Sequence, residues 1–110
     1  MGKGKPPHLH GALDLLILRC LNLDSMHGWG VSKYIQQLSD GVLEVNQGSL
    51  YPALYRLQDQ GWIRAEWGTA PSGRRAKIYH LTRSGAKQLA LEESEWVAFH
   101  RAVNRIVSPT

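Results

Sequence analysis

The sequence predicts a mainly α fold carrying one small β-hairpin, and three patterns in its 110 residues predict it. Apolar residues recur at helical spacing in three short stretches. The period then switches to the alternation of two strands around a turn-rich loop. A long run of helix-forming residues closes the chain. The length suits one compact domain and is too short for two.

Residues 1–10 hold two Gly, two Pro and two Lys and are expected to be a flexible arm. Basic arms can enter a DNA minor groove, though plain disorder is the simpler account of this one. Residues 13–23 follow as a helix buried on most sides, with Leu13, Leu15, Leu16, Ile17, Leu18, Leu21 and Leu23 interrupted by Asp14, Arg19 and Asn22. Asp24-Ser25 ends it, and His27-Gly28-Trp29-Gly30 is expected to turn the chain. A second helix spans 31–38, with Val31, Tyr34, Ile35 and Leu38 at i, i+3, i+4 and i+7. Asp40-Gly41 stops it, and Val42-Leu43-Glu44-Val45 is expected to be a short extended piece.

The third helix is expected to start at Ser49 as N-cap, with Pro52 tolerated in the first turn. Leu50, Leu54 and Leu57 form its apolar stripe, and Gly61 stands where a C′ glycine belongs. Residues 62–67 and 77–81 alternate as strands around the loop 68–76, which carries Arg74 and Arg75 side by side. Thr82 then caps a final helix that runs to about Val107, before Ser108-Pro109.

Composition narrows the function. Thirteen Lys and Arg oppose nine Asp and Glu, a formal +4 that mildly favours a polyanionic partner; an ordinary soluble surface is the alternative. Cys20 is the only cysteine, so no disulfide forms within the chain, and its apolar surroundings predict an inert, buried thiol. The five histidines make no zinc pattern with it, and no metal or cofactor is expected. No stretch reaches the ~18 apolar residues that span a bilayer, and Lys3 and Lys5 have no apolar run behind them to make a signal peptide. A cytoplasmic protein fits best. There is no phosphate-binding glycine loop and no nucleophile beside a base in the sequence, so an enzyme is not expected. Glu92, Glu93 and Glu95 read as solvated helix surface.

Helix, helix, helix, hairpin, long helix is the winged helix-turn-helix layout. Opposite its apolar stripe, the third helix presents Ser49, Pro52, Tyr55, Arg56 and Asp59, with Tyr51 at the flank. Such a face suits the major groove, where Arg pairs with guanine and hydroxyls reach bases or phosphates. Alone it reads more simply as a solvated surface. The hairpin shifts the balance, because Arg74, Arg75 and Lys77 cluster where they can meet phosphates or the minor groove. Double-stranded DNA is therefore the expected partner.

The run Gly48-Ser49-Leu50-Tyr51-Pro52-Ala53-Leu54-Tyr55-Arg56-Leu57, with Gly61-Trp62-Ile63 after it, closely resembles the recognition helix of the PadR family of bacterial transcription regulators. His27-Gly28-Trp29-Gly30 resembles the start of that family's second helix. Arg74-Arg75-Ala76-Lys77-Ile78-Tyr79-His80-Leu81-Thr82, with Gly85 just after, resembles its wing and exit strand. Leu13-Asp14-Leu15-Leu16-Ile17-Leu18 and Glu66-Trp67-Gly68 look like the short members common in acidobacteria. The resemblance implies repression by operator occupancy and dimerisation through the last helix, with the first contributing. Residues 11–81 would then be the DNA-binding domain and 82–110 the dimerisation helix.

Independently of that resemblance, Leu89, Trp96 and Val103 recur every seven residues, and Glu92, Phe99 and Ile106 follow each by three. Five of the six are apolar, which makes an a/d seam. A second copy is the simplest partner for it, and a two-fold protein matches a pseudo-palindromic operator. Trp96 could also stack a small planar aromatic effector that releases the operator by favouring another head separation; structural packing is the plainer account. The rivals are a regulator of the MarR or ArsR kind and a winged helix protein-interaction module. Metal sensing of the ArsR kind lacks its ligand cluster, and a docking module should lack Arg56, Arg74 and Arg75.

Overall fold

The structure, a computed structural model, describes residues 7–108, with side chains from Ala12 onward. Its elements are α1 (Pro7–Leu23), β1 (Met26–His27), α2 (Gly28–Leu38), α3 (Gln47–Asp59), β2 (Ile63–Thr69), β3 (Arg75–Leu81) and α4 (Arg83–Val107). The three strands form an antiparallel sheet in the order β1-β3-β2. This is the winged helix arrangement the sequence predicts.

The core lies where the three short helices meet the sheet. Ile17 and Leu18 of α1, Val31 of α2, and Leu50, Leu54 and Leu57 of α3 are essentially inaccessible. Each such side chain contributes about 1.5–3 kcal/mol relative to leaving it in water. Ile63 and Tyr79 close the sheet side. Cys20 is buried with them, and burial pushes its thiol up to about 11, so it stays protonated and unreactive near neutrality.

Several boundaries differ from expectation. α1 begins at Pro7, so positions 7–10 of the expected arm are helical, while 1–6 lie outside the described residues. Proline suits a first turn because its missing N–H has no intrahelical acceptor to lose. His27-Gly28-Trp29-Gly30 is no separate turn: His27 is the N-cap of α2, its Nδ1 accepting the Gly30 N–H at 3.1 Å. His27 also ends β1, which pairs with β3 through Met26 opposite Tyr79 and His27 opposite Ile78. Two residues are too few to show an alternating pattern, which is why this strand is hidden in the sequence.

The N-cap of α3 is Asn46 rather than Ser49; its side chain accepts the Ser49 N–H at 2.9 Å. Pro52 therefore sits beyond the first turn and leaves the Gly48 carbonyl without its helical donor. Gly48 is exposed, so water can take that carbonyl. Val42-Leu43-Glu44-Val45 joins no sheet; the segment is held by Ser32 Oγ donating to the Val45 carbonyl at 2.9 Å. The end of α3 follows the sequence closely. Gly61 has φ +79°, its N–H reaches the Gln58 carbonyl and the Trp62 N–H reaches that of Leu57, a Schellman ending.

α4 starts as expected at Thr82, whose Oγ1 accepts the Gly85 N–H at 3.0 Å while donating to the Gly61 carbonyl at 2.7 Å. Gly85 is buried, and a Cβ there would collide with the Trp62 carbonyl oxygen. Leu89 is only 4% exposed and belongs to the core of its own domain. This corrects the expected seam: Leu89 anchors α4 inward and presents nothing to a second copy. From Ser94 to Ser108 every residue is exposed. α4 has 25 residues, about 37 Å of helix, so its distal half extends beyond the domain.

Candidate nucleic-acid interface

The wing is built by its turn. Pro71 occupies the second position of a tight turn closed by the Gly73 N–H on the Ala70 carbonyl at 2.8 Å, and Gly73 adopts φ +91°. A type I turn followed by a left-handed glycine is a standard three-residue hairpin loop. It fixes the register, with Thr69 opposite Arg75, Trp67 opposite Lys77 and Ala65 opposite Tyr79. Directly opposed residues share one face of the sheet. Trp67, Arg75 and Lys77 thus continue the face whose inner residues, Ile63 and Tyr79, enter the core.

That outer stretch overhangs a cleft of about 500 Å³ lined by residues from three elements. α2 supplies Gly28 and Trp29, with its cap His27; α3 supplies Tyr51 and Tyr55; the wing supplies Trp67, Lys77 and Tyr79. Gly28 packs closely on Tyr51, since a Cβ there would lie 2.9 Å from the Tyr51 hydroxyl. Burial pushes the Tyr79 phenol above its ordinary pKa, and the neighbouring Tyr51 and Tyr55 phenols add to this. Arg75 lies with its guanidinium carbon 5.0 Å from the Trp67 ring centre, a cation–π contact. Arg74, Arg75 and Lys77 are exposed, and among the described residues none of them forms an ion pair.

The expected residues of α3 divide between its two flanks. Tyr51 and Tyr55 face the cleft, and Pro52 is exposed on the outer surface. Arg56 is turned the other way, its guanidinium donating to Asp14 of α1 at 2.6 Å. Ser49 is partly buried in the first turn. The back of the wing carries a separate chain of contacts. Ser25 Oγ lies 2.7 Å from His80 Nδ1, His80 Nε2 lies 3.1 Å from Glu66, and Glu66 accepts from Arg64 at 3.3 Å. It braces the hairpin against the end of α1.

Trp96 and Phe99 lie together on α4, ring centres 6.0 Å apart, and help line a second cleft of about 310 Å³ against α1. Asp14, Glu92 and Glu95 line it too, so two of the three acids expected to be plain surface face this cleft. Glu93 instead pairs with Arg19 at 3.3 Å. Val103 and Ile106 continue beyond it, exposed by 38% and 80%. Among the described residues no group of His, Cys, Asp and Glu could hold a metal ion, and no helix is long and apolar enough to cross a membrane.

Comparison with known proteins decides the family. The profile of the transcriptional regulator PadR-like family matches residues 17–91, which contain α2, α3 and the whole wing. The chain belongs to the PadR-like family. It is 34% identical over 96 residues to the transcriptional regulator YqjI of Escherichia coli K12, covering 84% of this chain and 39% of that one. A transcriptional regulator from Clostridium thermocellum superposes with a TM-score of 0.85 at 26% identity, covering 94% of this chain and all of the other. A PadR-like regulator from Bacillus cereus gives 0.81 at 26% identity, covering 94% of this chain and 98% of its own. These neighbours are transcriptional regulators and not enzymes, and so is this PadR-like protein.

In this PadR-like regulator, sequence reasoning missed Trp29, His27 and Trp67 as cleft residues. A signal for Trp67 was present. With Gly73 fixing the turn, counting back along the hairpin puts Trp67 opposite Lys77 and on the face of Arg75. Trp29 had none, because its place depends on how α2 packs against α3.

Proposed function

We propose that the chain is a homodimeric repressor that binds a pseudo-palindromic duplex operator in the cytoplasm. The observation that carries the reading is that the exposed flank of α3 and the cationic wing open on one cleft, with Tyr51, Tyr55 and Lys77 all lining it. A helix and a hairpin presented side by side can enter adjacent grooves of one duplex. In this reading Ser49, Tyr51, Pro52 and Tyr55 read the major groove, and Arg74, Arg75 and Lys77 contact phosphates. Arg56 would join them by exchanging Asp14 for DNA, an inexpensive exchange because an exposed ion pair is worth at most about 1 kcal/mol. The dimer forms through Trp96, Phe99, Val103 and Ile106, which their own domain leaves 37%, 59%, 38% and 80% exposed. A small planar aromatic seated beside Trp96 would act as effector, releasing the operator by favouring a different separation of the two heads.

Selection of bound duplexes from a random pool tests the whole reading. It should return two related half-sites at a fixed spacing, and adding planar aromatic compounds should deplete them. Recovery of unrelated sequences, or of single half-sites, would overturn it. Changing Arg74 and Arg75 to Ala should weaken all duplexes alike and reduce the slope of log K against log salt by about two, one per lost phosphate contact. A loss confined to the selected sequence would instead make these arginines base readers.

A further inference from the structure

We propose that the aromatic cleft between α2, α3 and the wing seats one deoxyribose–phosphate strand of duplex DNA, with Trp29 and Trp67 as its walls and Trp67 also positioning Arg75. This rests on the duplex-binding reading and extends it to residues that reading leaves unused.

Trp29, Tyr55 and Trp67 are each more than half exposed, at 55%, 55% and 59%. All three line the same cleft. Large aromatic side chains gathered on an exposed surface mark a contact site. The charge around them selects the occupant. None of the lining residues is acidic, Lys77 is one of them, and Arg75 lies against the Trp67 ring. Apolar walls beneath a cationic rim match a strand whose sugars are apolar and whose phosphates are anionic. The position agrees: when a helix lies in the major groove and a hairpin reaches the neighbouring minor groove, the strand between those grooves runs between the two elements.

Trp67 has a second part to play. It and Arg75 share one face of the hairpin, diagonal across the two strands. Resting the guanidinium on the indole restricts the rotamers of an otherwise free arginine, so less entropy is lost when it meets a phosphate.

The test uses the full chain, the selected duplex and a scrambled duplex. Trp67→Ala should weaken both by about two- to fivefold and lower the salt slope toward that of Arg75→Ala. Trp67→Phe should restore most of the loss, because a phenyl ring still supports a guanidinium. The Trp67→Ala, Arg75→Ala double variant should lose less than the product of the two single losses. Trp29→Ala should weaken both duplexes without altering the slope. DNA should protect tryptophan fluorescence from acrylamide, and protection should fall in Trp29→Phe and Trp67→Phe.

Wild-type binding with every tryptophan variant indistinguishable from it overturns the cleft and leaves the duplex reading standing. Failure of the wild-type chain to bind any duplex removes that reading itself. Tighter binding of a single strand than of its duplex would mean that the walls stack unpaired bases, and overturns the proposal. Losses that multiply in the double variant overturn the positioning role.

Discussion

A chain carrying both Phe99→Asp and Ile106→Asp should sediment as a monomer at concentrations where the wild-type chain is a dimer. The argument starts from the length of α4. Its proximal turns are anchored by Gly85 and Leu89, but Phe99, which lines the cleft against α1, and Ile106 remain 59% and 80% exposed. If a second copy covers them, each aspartate places a carboxylate in an apolar contact, at about 3 kcal/mol or more apiece. A symmetric dimer carries four such carboxylates, two from each copy, so the dimer constant should fall by well over four orders of magnitude. Affinity for a two-site operator should fall by about 10²–10⁴, because the second head no longer binds as part of the same particle. Affinity for an isolated half-site should hold, since neither residue touches the winged domain's cleft. A variant that still sediments as a dimer would place the interface elsewhere.

Gly85→Ala should be the most damaging single-methyl change, lowering stability by about 2–4 kcal/mol. Here the obstacle is backbone: the added carbon meets the Trp62 carbonyl oxygen and the Leu81 side chain. The same turn holds the two hydroxyl bonds from Thr82 and Ser84 to the Gly61 carbonyl, so α4 cannot shift outward without breaking them. A domain of this size loses roughly 4–8 °C of melting temperature per kcal/mol, so the fall should be plain in a thermal scan. An unchanged melting temperature would show that α4 can lift off β2 and β3 freely. DNA binding measured well below the transition should survive, because Gly85 does not line the cleft.

The legible parts of the molecule were those written in local chemistry. Leu50, Leu54 and Leu57 announce α3 by period, Gly61 announces its end, and the turn-rich run 68–76 announces the hairpin loop, although Gly68, Thr69, Arg75 and Ala76 at its edges are strand. Thr82 names the start of α4. Helix starts were harder, because Asn46 and Ser49 are both good caps, and the structure uses Asn46. β1 was illegible, since Met26 and His27 become a strand only when β3 is alongside. The same holds for the site. The basic residues of the wing stand out in the chain, whereas the turning of Arg56 toward Asp14 is a fact about α1 and α3 together. Leu89 matched the heptad of the seam because the inward and outward stripes of α4 overlap at its proximal end; a repeat of seven cannot tell which neighbour a residue will have.

His27 belongs to two elements at once. It closes β1 against Ile78 and caps α2 through Gly30, so no linker residue separates the sheet from the second helix. A joint of zero length cannot act as a hinge. The root of the hairpin and the start of α2 must therefore tilt together. A head that stiff fits a target largely by making the target conform. The base steps that bend or twist most easily would then be favoured at positions no side chain reaches, so part of the operator's sequence would record the flexibility of the DNA.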